Sequence, residues 1–487
     1  MSELTSKIVK SLAPLAVLAA ILLIPVPEGM PPQAWYFFAI FVAMIVGMIL
    51  EPIPATAISF IAVTASVLAA DWVLFGAKEL AAPGFNAGKE ALKWGLAGFS
   101  SATVWLVFGA FIFALGYEST GLGRRIALFM VKFMGKRTLT LGYAVVIVDV
   151  LLAPFTPSNT ARTGGTVFPV VRNLPPLFDS FPNDVSSRRI GGYLMWMMVV
   201  GTSISSSMFI TGAAPNVLGI EFVNKIAGLQ ISWMQWFLAF LPVGLILLIV
   251  APLISWYLYK PGVTHSNEVA VWAGSALVEM GKVSRKEYTL IALVLLSLCL
   301  WVFGGKVVNA TAVCLLAVSL MLVLKVVAWK DITRYSSAWN TLVNLATLVV
   351  MASGLTRSGF IDWFATTMST HLEGFSPDMT LIALVLVFYF AHYLFASLSA
   401  HTATLLPVIL AVGKGLPGVS MEHLSILLVL SIGLMGVLTP YATGPGVIIY
   451  GCGYVKSKDY WRLGGILGVV YITLLLLVGW PILSIWY

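Results

Sequence analysis

Apolar runs of about 20 residues follow one another along almost the whole chain, and two of them are broken near the middle by short polar motifs. A helical run of that length matches the ~30 Å hydrocarbon core of a bilayer. Backbone N–H and C=O groups find no water there, so only helices and closed barrels can span it. The runs lack the alternating ~10-residue pattern of barrel strands. The fold class is therefore all-α integral membrane protein. Composition agrees, with 59% hydrophobic and 10% charged residues, where soluble domains carry about 25% charged residues.

Eleven full spans are read near 11–27, 33–50, 54–71, 99–117, 189–222, 233–259, 289–304, 309–328, 338–356, 423–450 and 463–486. The first lacks a small-residue cleavage site and is read as a retained span rather than a signal peptide. Two further stretches, 140–172 and 379–413, have arms too short to cross and are read as re-entrant hairpins with a polar motif at each tip. With the N-terminus inside, 20 Lys and Arg residues fall on the cytoplasmic side and 7, Lys306 among them, outside; Arg162 is left within the membrane. That bias fits the positive-inside rule, so the net charge of +8 does not point to nucleic acid. It also places the C-terminus outside and makes the two halves inverted. The expected organisation is an N-terminal helix over 1–32, a first repeat over 33–260 with hairpin 140–172, a cytoplasmic linker over 261–288, and a second repeat over 289–487 with hairpin 379–413. Amphipathic segments at Arg124 to Met134 and Phe360 to Met368 follow matching glycine-spaced stretches. Cys299, Cys314 and Cys452 show neither disulfide nor metal spacing.

The first tip reads Pro157-Ser158-Asn159-Thr160-Ala161-Arg162, and the second Ser399-Ala400-His401-Thr402-Ala403-Thr404. Non-helical backbone at membrane depth is tolerated where it lines a cavity, and paired interruptions mark a transporter site at a repeat interface. A tip gathers helix N-termini, whose free N–H groups favour anions. Ser158, Asn159 and Thr160, with Thr402 and Thr404 opposite, add donors without filling the space. A substrate with two or three carboxylates could bridge the tips. Each hairpin is followed by a second break, Gly212-Ala213-Ala214-Pro215-Asn216 and Ala442-Thr443-Gly444-Pro445-Gly446. Proline there removes a donor and clashes with the preceding turn, so Ala213, Pro215, Thr443 and Pro445 are placed in unwound backbone lining the site; a plain proline kink is the simpler alternative.

Arg162 and His401 carry the sharper question. An intramembrane Arg costs at least ~2.5 kcal/mol to insert and reads either as a counter-charge for an anion or as half of an ion pair with Asp149; the two are compatible. His401 is set opposite Asn159, whereas His392 reads as a satisfied structural residue.

Ser158-Asn159-Thr160, Thr402-Ala403-Thr404 with Leu406-Pro407-Val408, and Pro440-Tyr441-Ala442-Thr443-Gly444-Pro445 resemble the divalent-anion/sodium symporter family of di- and tricarboxylate carriers, along essentially the whole chain. The resemblance implies a homodimer in the bacterial inner membrane whose two hairpins travel together in an elevator motion. Its implied activity is exchange of citrate for succinate or related C4-dicarboxylates, with no cofactor or resident metal. Sodium-coupled members carry Ser-Asn-Thr at both tips. Here a histidine interrupts the second motif and Arg162 follows the first, so both cations are expected to substitute for coupling sodium. The empty carrier would then hold uncompensated positive charge and move poorly, and exchange would weaken as pH rises if His401 must be protonated. A sodium-coupled symporter, an anion channel and an intramembrane enzyme are the rival readings. The last lacks a nucleophile–base pair with convincing helix-face spacing.

Overall fold

The computed structural model describes residues 3–304, 307–371 and 376–486; Lys306, counted above as an outside charge, lies outside them. Among the described residues every named element is helical, and the only β-type pairing is an isolated bridge between Arg137 and His265. In the first half the helices are α1 (Glu3–Leu23), α2 (Pro32–Leu50), α3 (Ala55–Leu68), α4 (Ala87–Leu96), α5 (Ala102–Thr120), α6 (Leu122–Met134), α7 (Thr138–Leu152), α8 (Thr160–Val167), α9 (Gly191–Met208), α10 (Ala214–Ala227) and α11 (Trp233–Leu258). After α12 (Asn267–Glu279) come α13 (Arg285–Phe303), α14 (Ala310–Val323), α15 (Ser336–Arg357), α16 (Phe360–His371), α17 (Pro377–Phe390), α18 (Leu398–Gly415), α19 (Met421–Leu434), α20 (Gly444–Gly451) and α21 (Ser457–Leu474).

Among the described residues nine helices are long and apolar enough to cross a membrane. This differs from the eleven spans read above for three physical reasons. The expected spans near 11–27, 54–71 and 309–328 form the shorter apolar helices Ile8–Leu23, Ala55–Leu68 and Ala310–Val323. The runs at 189–222 and 423–450 are each divided by irregular backbone, into α9 with α10 and α19 with α20. Conversely, the expected hairpin arms at Thr138–Phe155, Pro377–Leu394 and Leu398–Gly415 are continuous enough to qualify by length and composition. The two amphipathic segments are the helices α6 and α16. Each follows a long helix through a glycine held at positive φ, Gly121 at 76° and Gly359 at 90°, a conformation that a Cβ disfavours.

Packing interleaves the halves. Helix α3 lies against α15, α14 lies against α5, and α5 and α15 pack on each other. A second body forms where α9 packs on α7 and α19, α10 on α18, and α20 on α8. Gly433 of α19 permits this closeness, since a Cβ there would run into the Ser206–Ser207 backbone. The stretch 261–288, read as a plain polar link, contains α12, whose Val269, Ala273 and Ala276 are buried at helical spacing. This helix rests on α6. Ser266 Oγ donates to Gly135 O (2.6 Å), and Arg125 of α6 holds Glu287 of α13 (2.6 Å).

Candidate functional site

The first tip is built by prolines. Helix α7 ends in a tight turn at Ala153–Phe155 containing Pro154, and Pro157 keeps the next residues from resuming an α-helix. At Ser158 the chain turns back: its Oγ accepts from Ala161 N (3.1 Å) and its carbonyl from Arg162 N (2.9 Å). The next helix, α8, is π-wound along its length, a form often found at functional sites. At the second tip α17 gives way to a turn at Ala391–Leu394, and Ser397 sits in extended backbone. Ser397 Oγ accepts from Ala400 N (3.4 Å), and its carbonyl accepts from His401 N (3.0 Å).

These matched bonds fix the register between the tips, and it differs from the sequence reading. Ser158 corresponds to Ser397, so Leu398 stands opposite Asn159, Ser399 opposite Thr160, and His401 opposite Arg162. The second tip therefore presents Ser397-Leu398-Ser399 where the first presents Ser158-Asn159-Thr160.

The second breaks correspond as well. Ala213 (φ −154°, ψ 141°) precedes α10, and Thr443 (φ −143°, ψ 159°) precedes α20. Each following helix has proline in its first turn, Pro215 and Pro445, where the missing N–H leaves no helical bond unmade. Thr443 Oγ1 accepts from Gly446 N (3.1 Å), and Ala214 N donates to Pro157 O (2.9 Å), tying one break to the first tip.

Tips and breaks enclose a cavity of ≈ 220 Å³. Ser158, Asn159, Thr160, Pro215 and Thr443 line it, together with Ala396, Ser397, Leu398, Ser399, Ala214 and Gly444. Phe111 of α5 and Thr341 of α15 close the opposite wall. Ala213 and Pro445 stand just behind, in the cap of α10 and the first turn of α20. Thr402 and Thr404 do not line it: Thr402 is buried with its hydroxyl unpartnered, and Thr404 Oγ1 donates to Ala400 O (2.7 Å). The N-termini of α8, α10, α18 and α20 thus meet around one small space. No Lys or Arg lines it among the described residues, so a bound anion would be held by backbone N–H groups, hydroxyls and helix dipoles, each N-terminus equivalent to about half a positive charge.

Arg162 lies behind this wall, fully buried. Its Nε donates to Asp149 Oδ2 (2.9 Å), Nη1 to the carbonyls of Thr156 and Gly212 (2.7 Å each), and Nη2 to Ser205 Oγ (2.9 Å) and Ser206 Oγ (3.1 Å). Asp149 also accepts from Thr163 Oγ1 (2.6 Å) and from Ser205 Oγ. The guanidinium joins the first arm, the first tip and the first break through all five of its N–H groups. The expectation of uncompensated charge in the empty protein meets a definite partner here, because Asp149 balances Arg162. His401 is buried among the rings of Phe388, Phe395 and His392, and among the described residues both its ring nitrogens lack a hydrogen-bond partner. His392 takes the structural role read for it through one ring nitrogen, while its Nδ1 has no partner among the described residues. Its Nε2 donates to the Ala442 carbonyl (3.2 Å), the carbonyl matching that of Gly212. Ser205 and Ser206 escaped the sequence reading; their signal was the hydroxyl run from Thr202 to Ser207 inside an apolar helix.

The sequence profile of the sodium:sulfate symporter transmembrane region matches residues 5–486. The chain is 79% identical over 486 residues to the citrate/succinate antiporter of Escherichia coli (strain K12), covering 100% of both chains. It is 44% identical over 468 residues, 96% of each chain, to the L-tartrate/succinate antiporter of Shigella sonnei (strain Ss046). Among solved structures, the Alcanivorax borkumensis YdaH transporter aligns with a TM-score of 0.57 at 15% identity, covering 87% of this chain and 98% of that one. Neisseria gonorrhoeae MtrF aligns with a TM-score of 0.53 at 13% identity, covering 95% and 97%. At these identities the structural likeness concerns the fold alone.

Proposed function

Because the chain belongs to the sodium:sulfate symporter transmembrane-region family, as a multi-pass membrane transporter, we propose that it exchanges citrate for succinate or a related C4-dicarboxylate across the bacterial inner membrane without sodium. The observation that carries this reading is the convergence of four helix N-termini on one cavity that holds no cationic side chain. Two carboxylates of a substrate can each face a tip, Ser158-Asn159-Thr160 on one side and Ser397-Leu398-Ser399 on the other. The 79% identity to a citrate/succinate antiporter supplies the substrate pair.

Arg162 takes the part of a coupling cation. Two main-chain carbonyls at 2.7 Å are ligands of the kind a sodium ion would use, and a guanidinium already occupies them. A second cation beside it would meet both repulsion and a lack of free ligands. His401 fills the corresponding position of the second half without a carboxylate at hand. Obligatory exchange follows from the cavity: when empty, its N-termini present uncompensated positive potential in a desolvated seam, and an anion relieves it before the seam can slide.

The motion fits an elevator. Tips and breaks form one wall and move as a unit past Phe111 and Thr341 on α5 and α15. In this reading the two halves are inverted repeats, 140–172 and 379–413 are re-entrant hairpins, the N-terminus is cytoplasmic, the C-terminus is periplasmic, and two copies pair as the family resemblance implies. Radiolabelled citrate uptake into proteoliposomes tests it. Uptake is expected only into vesicles preloaded with succinate, at the same rate with and without sodium. Uptake into empty vesicles driven by a sodium gradient would sink the proposal in favour of sodium-coupled symport.

A further inference from the structure

Two larger cavities lie away from the anion site and meet each other. One, of ≈ 400 Å³, is lined by polar groups of α10 and α15, among them Glu221, Lys225 and Ser353. The other, of ≈ 640 Å³, is mainly apolar, with Ile210, Ile220, Trp233 and Trp301 on its walls. Ala102, Thr103 and Asn309 belong to both linings, so the two adjoin, one charged and the other apolar. Each volume lies within the ~300–1,000 Å³ typical of ligand sites.

The charged cavity is unusual for a membrane helix. Glu221 is only 9% exposed. Ser101 Oγ donates to one of its oxygens (2.8 Å), and the other has no partner among the described residues. Lys225 follows one turn later on the same face of α10. Among the described residues neither takes part in an ion pair. A nearly buried carboxylate with a free oxygen is expected to serve a ligand or a pathway, and Lys225, exposed in the last turn of α10, sets a cation beside it. The apolar cavity carries stacked Trp233 and Trp301 (ring centroids 5.2 Å), and its rim includes Leu238 and Phe303, 39% and 83% exposed. Both tryptophans are themselves buried, and the exposed apolar rim suits contact with an acyl chain.

We propose that these adjoining cavities hold one phospholipid with a primary-amine headgroup: its ammonium on Glu221, its phosphate beside Lys225, and an acyl chain against Trp233 and Trp301. A free di- or tricarboxylate does not suit them, because Glu221 repels a carboxylate and the apolar cavity would strip its water. A choline headgroup lacks the N–H donors that the spare Glu221 oxygen calls for. An anionic headgroup without an amine leaves Glu221 opposed by like charge. With α10 and α11 on one side and α5, α13, α14 and α15 on the other, the lipid lies along the seam between the two packed bodies.

Native mass spectrometry of the full chain, purified in mild detergent and offered equal amounts of phosphatidylethanolamine and phosphatidylcholine, tests the site. The wild type is expected to retain one phosphatidylethanolamine per chain. Lys225→Ala should lower retention about fivefold, and Glu221→Gln should remove the preference for ethanolamine over choline. Leu238→Trp, on the rim, should expel the lipid while leaving both charges in place, and it keeps the test open if a charge variant fails to fold. Equal retention of both lipids by the wild type overturns the headgroup assignment, as does selective retention of an anionic lipid supplied in competition. Unchanged retention in both Lys225→Ala and Leu238→Trp overturns the site itself.

Discussion

At the first tip all five N–H groups of Arg162 are engaged; at the same register of the second tip, both ring nitrogens of His401 have no partner among the described residues. The backbone around them is alike, with a capping serine three residues ahead of the N–H it accepts and a carbonyl bonded one residue further on. The facing positions differ in kind. Asp149 stands nine residues before Ser158, and Phe388 stands nine before Ser397, with its ring 4.6 Å from that of His401. One tip is thus stitched to its break by a charged network. The other is packed among rings and tied by uncharged bonds, from His392 to the Ala442 carbonyl and from Tyr441 Oη to the Tyr393 carbonyl (3.0 Å). The backbone turns at the two tips are thus alike, while side-chain chemistry decides how rigidly each is held.

The largest effect is expected from unbalancing the first tip. Asp149→Asn leaves Arg162 buried without its partner and should destabilise the protein by about 3–5 kcal/mol, read from unfolding in detergent. A loss no greater than that of a surface control would mean that the network contributes nothing to holding the tip. Next comes the cavity both tips share: a Cβ at Gly444 would already run into Thr160. Gly444→Val should cost about 1–3 kcal/mol of substrate binding, a roughly 5- to 150-fold rise in the citrate concentration needed for half-maximal exchange. An unchanged value would place the substrate elsewhere. The caps should respond equally: Ser158→Ala and Ser397→Ala each remove a cap worth about 1 kcal/mol, and similar losses of thermal stability are expected. A clearly unequal pair would break the register drawn between the tips. The smallest effect is expected at His401→Phe. It removes two unpaired buried nitrogens while keeping an aromatic, though larger, ring among its neighbours, so stability should change by less than about 1 kcal/mol and exchange should persist. A large fall in exchange would instead assign His401 the cationic role that the sequence suggested.

The sequence made the breaks legible because Gly, Pro and Thr stand out in apolar surroundings, and Gly121 and Gly359 marked the starts of α6 and α16 for the same reason. The Asp149–Arg162 pair was legible because charges in the membrane are so few. The second-tip register was not. Ser397 and Ser399 are both able to cap, and the choice is made by where the turn at Ala391–Leu394 leaves the chain, which depends on packing of α17 against α19 rather than on local residues. Thr402 and Thr404 consequently fall one turn past the cavity they were expected to line. His392 looked ordinary because its partner carbonyl lies 50 residues away. Phe111 and Thr341 were beyond reach for a similar reason, since nothing in their own helices distinguishes a wall residue from a lipid-facing one. The helix α12 was hidden by its polar neighbours at 260–268, which obscured the three buried positions that dock it.

Arg162 and Asp149 are 0% and 1% exposed, so bulk salt has little leverage on their attraction. A cation that is part of the polypeptide never equilibrates with either compartment, and no gradient of it can exist. If it replaces a dissociable ion, the carrier gives up any external source of work. The accumulation ratio of one substrate is then bounded by the opposing ratio of the other, with allowance for any difference in charge. Such a protein cannot concentrate an organic acid from sodium stored elsewhere; it can only trade one acid pool against another.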